Sequence, residues 1–288
     1  MEALSSLTVS IVGLGQIGGS LGLALRTREV VKRVLGVDAN EDTTHEAAKR
    51  GAIDDAVDLL EAASKADLLV LAAPMGAIVD LVPQVAPVLR HGAILTDVGS
   101  VKLPVRRAVE KSGLRAAFVG GHPLAGNEGH GIASADPRLF EGATWVLCPG
   151  PDPHPDTIEE ISAIVRAVGA RPQVLDEEVH DRVLAATSHL PYAIAGALAM
   201  LAKNHAPLAW SLAAGSFRGA TRVARSDVRM AADMLWANRT NLLREIASFG
   251  EHLKLLTLAL EAADPQLLER ILTEAKRAGD ECASFNMQ

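Results

Sequence analysis

The sequence predicts an α/β protein in which an N-terminal Rossmann-type doubly wound sheet is followed by an all-helical dimerisation domain. Three observations support this prediction. Short β-branched runs alternate with helical patterns in the first part of the chain, and a glycine-rich turn lies between the first run and the first helix. After Asp176 strand-like runs disappear and the pattern is almost wholly helical. The alternation of strand-like runs with helical patterns in the first part is typical of a parallel sheet covered by helices on both faces.

The elements follow from hydrophobic periodicity. The predicted strands are 7–12, 34–38, 66–72, 93–97 and 117–120, with further edge strands at 144–147 and 173–175. Helices are predicted at 17–26, 43–50 and 162–169, and another opens after residue 102. We therefore predict a dinucleotide-binding Rossmann domain over residues 1–173 and a helical substrate and dimerisation domain over residues 174–288.

Two apolar stretches, 183–186 and 193–202, give the helical domain more apolar face than a lone solvated bundle can bury. We expect this surface to pair with a second copy of the chain in a homodimer. The alternative is that these faces pack on the first domain.

Composition excludes several classes of protein. The chain has 288 residues, 49% hydrophobic and 22% charged, which indicates a folded globular protein and not a disordered one. Its net charge of −7 provides no electrostatic footprint for nucleic acid or an anionic membrane, so an anionic ligand needs a local site. Cys148 and Cys282 lack the spacing of a disulfide framework or a zinc site. No basic segment precedes Arg26 and the apolar stretch 193–202 is about half a membrane span, so we expect a cytoplasmic protein.

Residues 13–18, Gly-Leu-Gly-Gln-Ile-Gly, have the Gly-x-Gly-x-x-Gly spacing of a dinucleotide-binding turn. Gly13 would permit the tight turn, Gly15 would let a pyrophosphate approach the backbone, and Gly18 would allow close packing of helix on strand. Gln16 and Ile17 complete the predicted cofactor site, because a helix N-terminus offers free N–H groups to phosphate. The spacing alone is a weak signal, and its position between strand and helix strengthens it.

Asp38 ends the second predicted strand and follows Gly18 by 20 residues. A carboxylate there accepts hydrogen bonds from ribose hydroxyls and repels a 2′-phosphate. Residues 39–42 offer no arginine to receive that phosphate. The sequence therefore predicts NAD as cofactor in preference to NADP, with the alternative that Asp38 only caps the strand end.

Three further segments combine polar side chains with positions suited to chemistry. Segments 96–102 and 120–128 each follow a predicted strand, and segment 188–192 lies on the first long helix of the second domain. Ligands of open α/β sheets bind outside the carboxyl ends of the strands. Ser100 and His122 should therefore lie near the nicotinamide.

The glycine-rich turn, His-Pro-Leu-Ala-Gly at 122–126, Ser-His-Leu-Pro at 188–191 and the arginine-rich segment 221–227 together resemble the prephenate dehydrogenases of the tyrosine pathway. The resemblance extends over almost the whole chain. It implies NAD-dependent oxidative decarboxylation of prephenate to 4-hydroxyphenylpyruvate. Arogenate dehydrogenases share the scaffold, so arogenate, or both substrates, is the alternative.

The resemblance also implies roles for individual residues. A neutral His122 would accept the hydrogen bond of the substrate's C4 hydroxyl, and Ser100 would orient the same hydroxyl. If His122 must be neutral, activity should rise through about pH 6.5, the ordinary histidine pKa. Arg222 matches the substrate-binding arginine and can hold a carboxylate by two parallel hydrogen bonds. The other implied substrate-binding residues are His189, Glu128 and Asn127.

Most of these residues also have a structural interpretation. Ser100 is a good helix N-cap and is expected to do both jobs. His122 could be a loop histidine and His189 a core histidine, with Pro191 kinking the helix. Arg222 competes with Arg218, Arg225 and Arg229, most of which should be solvated.

Nearby residues are interpreted as structural. Lys102 should form an ion pair with Asp97, and the pair at 180–181, His-Asp, should serve the fold. The histidines show no metal-ligand spacing, and this chemistry needs no metal. Tyr192 departs from relatives that have another histidine there, which affects only fine substrate contacts.

Two rival hypotheses remain. A β-hydroxyacid dehydrogenase also joins a Rossmann domain to a helical one, but it would need a catalytic lysine, and Lys203 has no supporting motif. A non-catalytic sensor would bind NAD without turning over prephenate.

Overall fold

The computed structural model of the protein describes residues 4–126, 129–150 and 154–285. Eight strands in this part form one sheet in the order β3-β2-β1-β4-β5-β6-β7-β8. They are β1 (Thr8–Val12), β2 (Arg33–Val37), β3 (Asp55–Ala56), β4 (Leu68–Leu71), β5 (Ile94–Asp97), β6 (Ala117–Pro123), β7 (Thr144–Cys148) and β8 (Arg171–Val174). The strand order reverses between β1 and β4, so the carboxyl ends of these strands flank the switch point where open sheets bind ligands.

The predicted fold class is confirmed, with one difference in the sheet. Strands β1 to β6 pair in parallel, whereas β7 runs antiparallel to β6 and parallel to β8. The edge strands are β3 and β8, and β7 lies between β6 and β8, so the prediction that 144–147 is an edge strand was wrong. Strand β3 has two residues, too few for a periodic signal.

Helices cover both faces of the sheet. They are α1 (Gln16–Thr27), α2 (Glu41–Lys49), α3 (Leu59–Lys65), α4 (Met75–Val85), α5 (Leu103–Ser112) and α6 (Pro155–Ala167). Successive residues of β4 alternate between two cores: Leu68 and Val70 pack with α1 and α6, and Leu69 and Leu71 pack with α4 and α5. This alternation follows from the pleat of a strand and explains why the strand sequence is apolar throughout.

The chain continues with five helices: α7 (Glu177–Leu184), α8 (Leu190–Lys203), α9 (Leu208–Leu212), α10 (Gly215–Thr221) and α11 (Val228–Ala237). Between α7 and α8, residues Ala185–His189 form a π-helical turn. The predicted disturbance near Pro191 therefore takes the form of a wider turn, because proline provides no amide hydrogen for the α-helical bond.

By contacts within the chain, the first compact unit ends at Asn238 and the second begins at Arg239. The second unit consists of α12 (Arg239–Glu261) and α13 (Pro265–Phe285), which pack on each other. The Asp264 carboxylate caps α13 by accepting the amides of Gln266 and Leu267. The predicted domain boundary at 173/174 remains a prediction about where the α/β part gives way to helices.

Helix 177–203, formed by α7, the π turn and α8, is long and apolar enough to cross a membrane by length and composition alone, since an 18-residue window of it has a mean hydropathy of 1.4. The apolar stretch 193–202 is therefore part of a longer helix than the sequence predicted. About 22% of this apolar window is buried inside the protein, and the helix contains the hydrogen-bonded side chains of His180, Asp181 and His189.

Candidate active site

The glycine-rich turn has the geometry of a phosphate cradle at the switch point. Gly13 has a φ of +97°, and a Cβ on it would lie 2.4 Å from the carbonyl oxygen of Ala72. A Cβ on Gly18 would lie 1.9 Å from the Gly13 carbonyl oxygen, so the helix can approach the turn only without a side chain. A Cβ on Gly15 would meet no atom within 4 Å, which leaves open space at the start of α1. This open helix N-terminus fits a pyrophosphate.

Asp38 directly follows β2 and is joined to the glycine-rich turn. Its Oδ2 accepts the amide of Leu14 at 2.8 Å, and its Oδ1 accepts the amide of Asn40 at 3.0 Å. A carboxylate has about four acceptor sites, so it can still accept two ribose hydroxyls. The carboxylate therefore fixes the turn and keeps capacity for the cofactor.

His122 lies on β6, and a buried ion pair supports the backbone beside it. The Lys102 ammonium contacts the Asp97 carboxylate and the Gly121 carbonyl, with the lysine 1% and the aspartate 0% exposed. The Asp97 carboxylate also accepts the amide of Gly99 at 2.9 Å and that of Gly121 at 3.3 Å. The predicted Lys102–Asp97 ion pair is confirmed, and it fixes the strand segment that presents His122.

The His122 ring belongs to a chain of three hydrogen-bonded side chains. Its Nδ1 lies 2.9 Å from Nε2 of His180, and Nδ1 of His180 lies 2.8 Å from Oδ1 of Asp181. The two rings meet edge to face with centroids 5.1 Å apart. His180 and Asp181 are fully buried, whereas His122 is partly exposed. A carboxylate, a buried imidazole and an accessible imidazole thus stand in series.

Asp181 also caps α5 from another part of the chain. Its Oδ1 accepts the Lys102 amide at 2.8 Å and its Oδ2 accepts the Leu103 amide at 2.9 Å. Lys102 is the N-cap residue of α5, so the expectation that Ser100 caps this helix was wrong. The structural interpretation of the 180–181 pair fits these contacts, because the Asp181 carboxylate both anchors the helix and holds His180.

His189 ends the π turn and is also fully buried. The Asn238 Nδ2 donates to the Asp181 backbone oxygen at 2.6 Å and lies 3.0 Å from Nδ1 of His189. Because a carbonyl oxygen only accepts, the amide nitrogen faces both groups, and Nδ1 of His189 is the acceptor. The proton of neutral His189 is then on Nε2, which is buried without a hydrogen-bond partner in the described chain. An N–H group in this position is able to donate a hydrogen bond to a ligand.

Both histidines are held neutral. Removal from water lowers the pKa of His122 well below 6.5, and the Lys102 ammonium and the rings of His180 and His189 lower it further. Burial lowers the pKa of His189 to about 4, against the opposing effect of Asp181. The lowered pKa of His122 moves the expected rise in activity to a pH below the ordinary histidine value. His122 therefore remains a base in mildly acidic solution.

Arg222 lies in a different part of the helical segment. It begins a short 3₁₀ turn that packs on α8 and lines a cavity of about 390 Å³. The cavity is also lined by Trp210, Phe217, Arg218 and Arg225. In the described part of the chain, the hydrogen bonds of His122 do not extend to Arg222. The structure thus joins His122 and His189 through a network and places Arg222 in a cationic, aromatic cavity.

The remaining predicted residues divide into two groups. Ser100 lies partly buried in the loop between β5 and α5, after the strand end where it was expected. Asn127 and Glu128 lie outside the described residues. Within residues 4–126, 129–150 and 154–285, no group of three or more histidine, cysteine or acidic side chains is placed to hold a metal ion.

Two family models match the chain. The model described as "Prephenate dehydrogenase, nucleotide-binding domain" matches residues 21–174, and the one described as "Prephenate dehydrogenase, dimerization domain" matches residues 176–281. A prephenate dehydrogenase of Lactococcus lactis is 34% identical over 93% of this chain and 75% of its own length. A cyclohexadienyl dehydrogenase of Zymomonas mobilis is 32% identical over 94% of both chains.

A solved structure is also similar over nearly its whole length. It is the prephenate dehydrogenase of A. aeolicus in complex with hydroxyphenyl propionate and NAD+. The TM-score is 0.88 at 30% identity, with 97% of this chain and 99% of that chain covered. With both domain models matched and relatives above 30% identity, the chain belongs to the prephenate dehydrogenase family.

Proposed function

We propose that the protein catalyses the NAD-dependent oxidative decarboxylation of prephenate to 4-hydroxyphenylpyruvate. The observation that supports this most directly is the Asp181–His180–His122 chain, which leaves one imidazole nitrogen accessible. His122 lies at the end of β6, on the same edge of the sheet as the glycine-rich turn after β1. A base beside a dinucleotide site is what removal of hydride from an alcohol carbon requires.

The cofactor site consists of Gly13, Gly15, Gln16, Ile17, Gly18 and Asp38. When bound, NAD supplies the acceptor for the hydride that leaves C4 of the substrate. Gly15 and the first amides of α1 would hold the pyrophosphate, and Asp38 would hold the ribose hydroxyls. The side chains of the protein would then manage the proton and the carboxylates of the substrate.

His122 manages the hydroxyl proton. Its free Nε2 accepts that proton as C4 gains carbonyl character. Loss of the C1 carboxyl group as CO₂ sends the bonding electrons into the ring, which becomes aromatic. The phenolate oxygen takes the proton back, so the imidazole is neutral again at the end. Ser100 orients the same hydroxyl.

Other residues hold the rest of the substrate. The buried Nε2–H of His189 donates to a substrate oxygen, which would satisfy its unpaired donor. Arg222 holds a carboxylate by charge-assisted hydrogen bonds, which a chain of net charge −7 can provide only locally. Asn127 and Glu128 complete the proposed substrate site.

Steady-state kinetics with NAD and prephenate test these roles. His122→Asn should lower kcat by about 10²- to 10⁴-fold, the range for loss of a general base. Arg222→Ala should mainly raise KM for prephenate and leave the Kd for NAD unchanged. Arg229→Ala, an exposed arginine on α11, is the matched control and should behave as wild type.

Near-normal turnover of His122→Asn would remove this residue from the mechanism. Loss of NAD binding in Arg222→Ala would show that the arginine belongs to the cofactor site. Binding of NAD without any turnover of either substrate by the wild-type protein would favour the non-catalytic sensor.

Arogenate is the second candidate substrate, favoured by the match to a cyclohexadienyl dehydrogenase over 94% of both chains. Prephenate and arogenate differ only in a keto group or an ammonium group on the side chain. Rates with each substrate at equal concentration distinguish the two activities.

We also propose that the protein is a cytoplasmic homodimer without a membrane partner. The free thiols of Cys148 and Cys282 suit a reducing compartment. The apolar face of α8 is proposed to contact a second copy of the chain, and not lipid, because helix 177–203 also contains the buried polar side chains of His180, Asp181 and His189, which hydrogen-bond within the protein.

A further inference from the structure

We infer that His180, itself held by Asp181, is a positioning residue that fixes His122 in the tautomer with its proton on Nδ1. The inference rests on the proposed role of His122 as the base. Its content is separate, because it concerns which nitrogen of His122 is able to accept a proton. In the other tautomer the free Nε2 would already have a proton and could only donate.

The direction of each hydrogen bond follows from the Asp181 carboxylate. This group accepts the backbone amides of Lys102 and Leu103, and those amides can only donate. The third neighbour of the carboxylate is Nδ1 of His180 at 2.8 Å, which therefore donates its N–H.

The position of the ring proton on His180 then determines the position of the ring proton on His122. A neutral imidazole with its proton on Nδ1 has an acceptor at Nε2. That acceptor lies 2.9 Å from Nδ1 of His122, so Nδ1 of His122 donates. The lone pair of His122 is consequently on Nε2, the ring nitrogen that does not face His180. Orientation of a catalytic imidazole by a buried carboxylate follows the same logic, with one ring inserted between them.

Burial and further hydrogen bonds hold His180 and Asp181 in this arrangement. His180 and Asp181 lie within 1% of complete burial, so water does not compete for their hydrogen bonds. Asp181 is further fixed by two helix amides, and its backbone oxygen by Asn238. Asp181 is needed for the start of α5 as well, so a variant there would confuse stability with positioning. The test therefore uses His180.

The wild-type protein provides the first measurement. Uniform ¹⁵N labelling of histidine separates protonated from unprotonated ring nitrogens by chemical shift, and His122→Asn identifies the signals of His122. At neutral pH, without substrate, His122 should have its proton on Nδ1. A wild-type His122 with its proton on Nε2 would overturn the inference and leave the proposed reaction untouched.

Two variants provide the second measurement. His180→Leu removes the acceptor, and the proton of His122 should move toward Nε2 while kcat falls about 10- to 100-fold, the loss expected when a partner that orients a functional histidine is removed. His180→Gln keeps an acceptor oxygen and a donor nitrogen and should restore most of kcat and the Nδ1 proton. KM for prephenate should change little in either variant.

His91→Leu is the matched control, because His91 is exposed at the opposite, amino edge of the sheet. Equal kcat in His180→Leu and wild type, with His122→Asn inactive, would overturn the inference while the proposed function stands. An equal loss of kcat in His180→Leu and His180→Gln would also overturn the inference. It would mean that a hydrogen-bond acceptor at this position makes no difference, as expected of a purely structural role. Should His180→Leu fail to fold, the wild-type spectrum and His180→Gln decide the question.

Discussion

At His122, the surroundings act on the imidazole from two sides. Its Nδ1 is bonded to His180, and the Lys102 ammonium lies in the same buried region beside Gly121. Burial and this positive charge both disfavour a second positive charge, so they lower the pKa of the ring. A base that must be neutral to accept a proton is therefore available at a pH where an ordinary histidine is largely protonated.

The pH profile tests this directly. Because the lowered pKa keeps the active, neutral form populated, kcat/KM for prephenate should stay constant from pH 7 down past about pH 6.5, the ordinary histidine value. It should fall only well below that value, as His122 becomes protonated. Initial rates between pH 4.5 and 8, with circular dichroism at each pH to verify folding, provide the measurement. An acid limb centred near the ordinary value would show that His122 is not shielded as described.

Individual site residues were predictable where local sequence places them. His122 and Asp38 follow strands, and the glycines define a turn, so chain order alone sets their positions. His180 is 58 residues from His122, and Asn238 is 49 residues from His189. Contacts at that separation depend on how α7 and α11 pack, which periodicity does not specify. The available signal was the His-Asp pair on the helix that also contains His189.

Strands β1 and β2 and helix α1 together form the proposed cofactor site. Asp38 joins the end of β2 to the amide of Leu14 within the glycine-rich turn. Removing the side chain therefore has two consequences, the loss of a ribose acceptor and an unsatisfied turn amide. Separating them requires two different substitutions.

We predict that Asp38→Ala and Asp38→Asn both raise the preference for NADP over NAD, expressed as a ratio of kcat/KM values, by about tenfold or more, because the charge that repels a 2′-phosphate is gone. Asp38→Asn should lose less affinity for NAD than Asp38→Ala, since its amide oxygen can still accept the Leu14 amide. Fluorescence titration with each cofactor, together with kinetics, provides the ratio. An unchanged ratio in both variants would refute the ribose assignment.

The position of helix α7 depends on contacts with α5, which is distant in the sequence. The start of α7 is fixed by an ion pair between Glu177 and Arg106 of α5, and its next turn supplies Asp181 to cap α5. A proline at 191 indicated the distortion, but the hydrogen bond between His189 at the end of the π-helical turn and Asn238 joins residues 49 apart in the chain. Tertiary packing, and not local propensity, sets the geometry of the site here.

For the whole molecule, the first compact unit exposes an extensive apolar surface after residue 200. Met200 is 73% exposed, Leu212 73%, Val228 76% and Trp236 70%. Monomeric proteins rarely expose so many large apolar side chains within one segment. This surface supports the proposed homodimer, in agreement with the dimerization-domain model matched at 176–281.

Light scattering after size exclusion should give the mass of two chains for the wild type. The double variant Leu212→Glu and Val228→Glu should shift the protein toward the mass of one chain, because burying two carboxylates in an apolar contact is unfavourable. The matched control is Leu60→Glu, which changes a leucine 52% exposed on α3 and should leave the mass unchanged. A wild-type monomer at micromolar concentration would contradict the proposal.

The architecture was predictable because parallel strands buried on both faces are apolar throughout, and helices between them have a different period. Two features were not. The antiparallel direction of β7 depends on the path of the connection after β6, and β3 is too short to show alternation. Within that connection, the fully buried Phe140 packs on Trp145 of β7, with ring centroids 5.1 Å apart.

The double use of Asp181 has a consequence for anyone surveying substitutions across this enzyme. Its carboxylate caps α5 and orients the imidazole of His180, which contacts the base His122. If variants are ranked once by cellular abundance and once by turnover, the same replacements of Asp181 should therefore rank low in both. One residue earlier, at His180, the two rankings should differ. Polar replacements of similar size should preserve the fold there, but only those with a hydrogen-bond acceptor should preserve turnover. Comparing the two adjacent positions would thus identify Asp181 as a carboxylate that serves both folding and turnover.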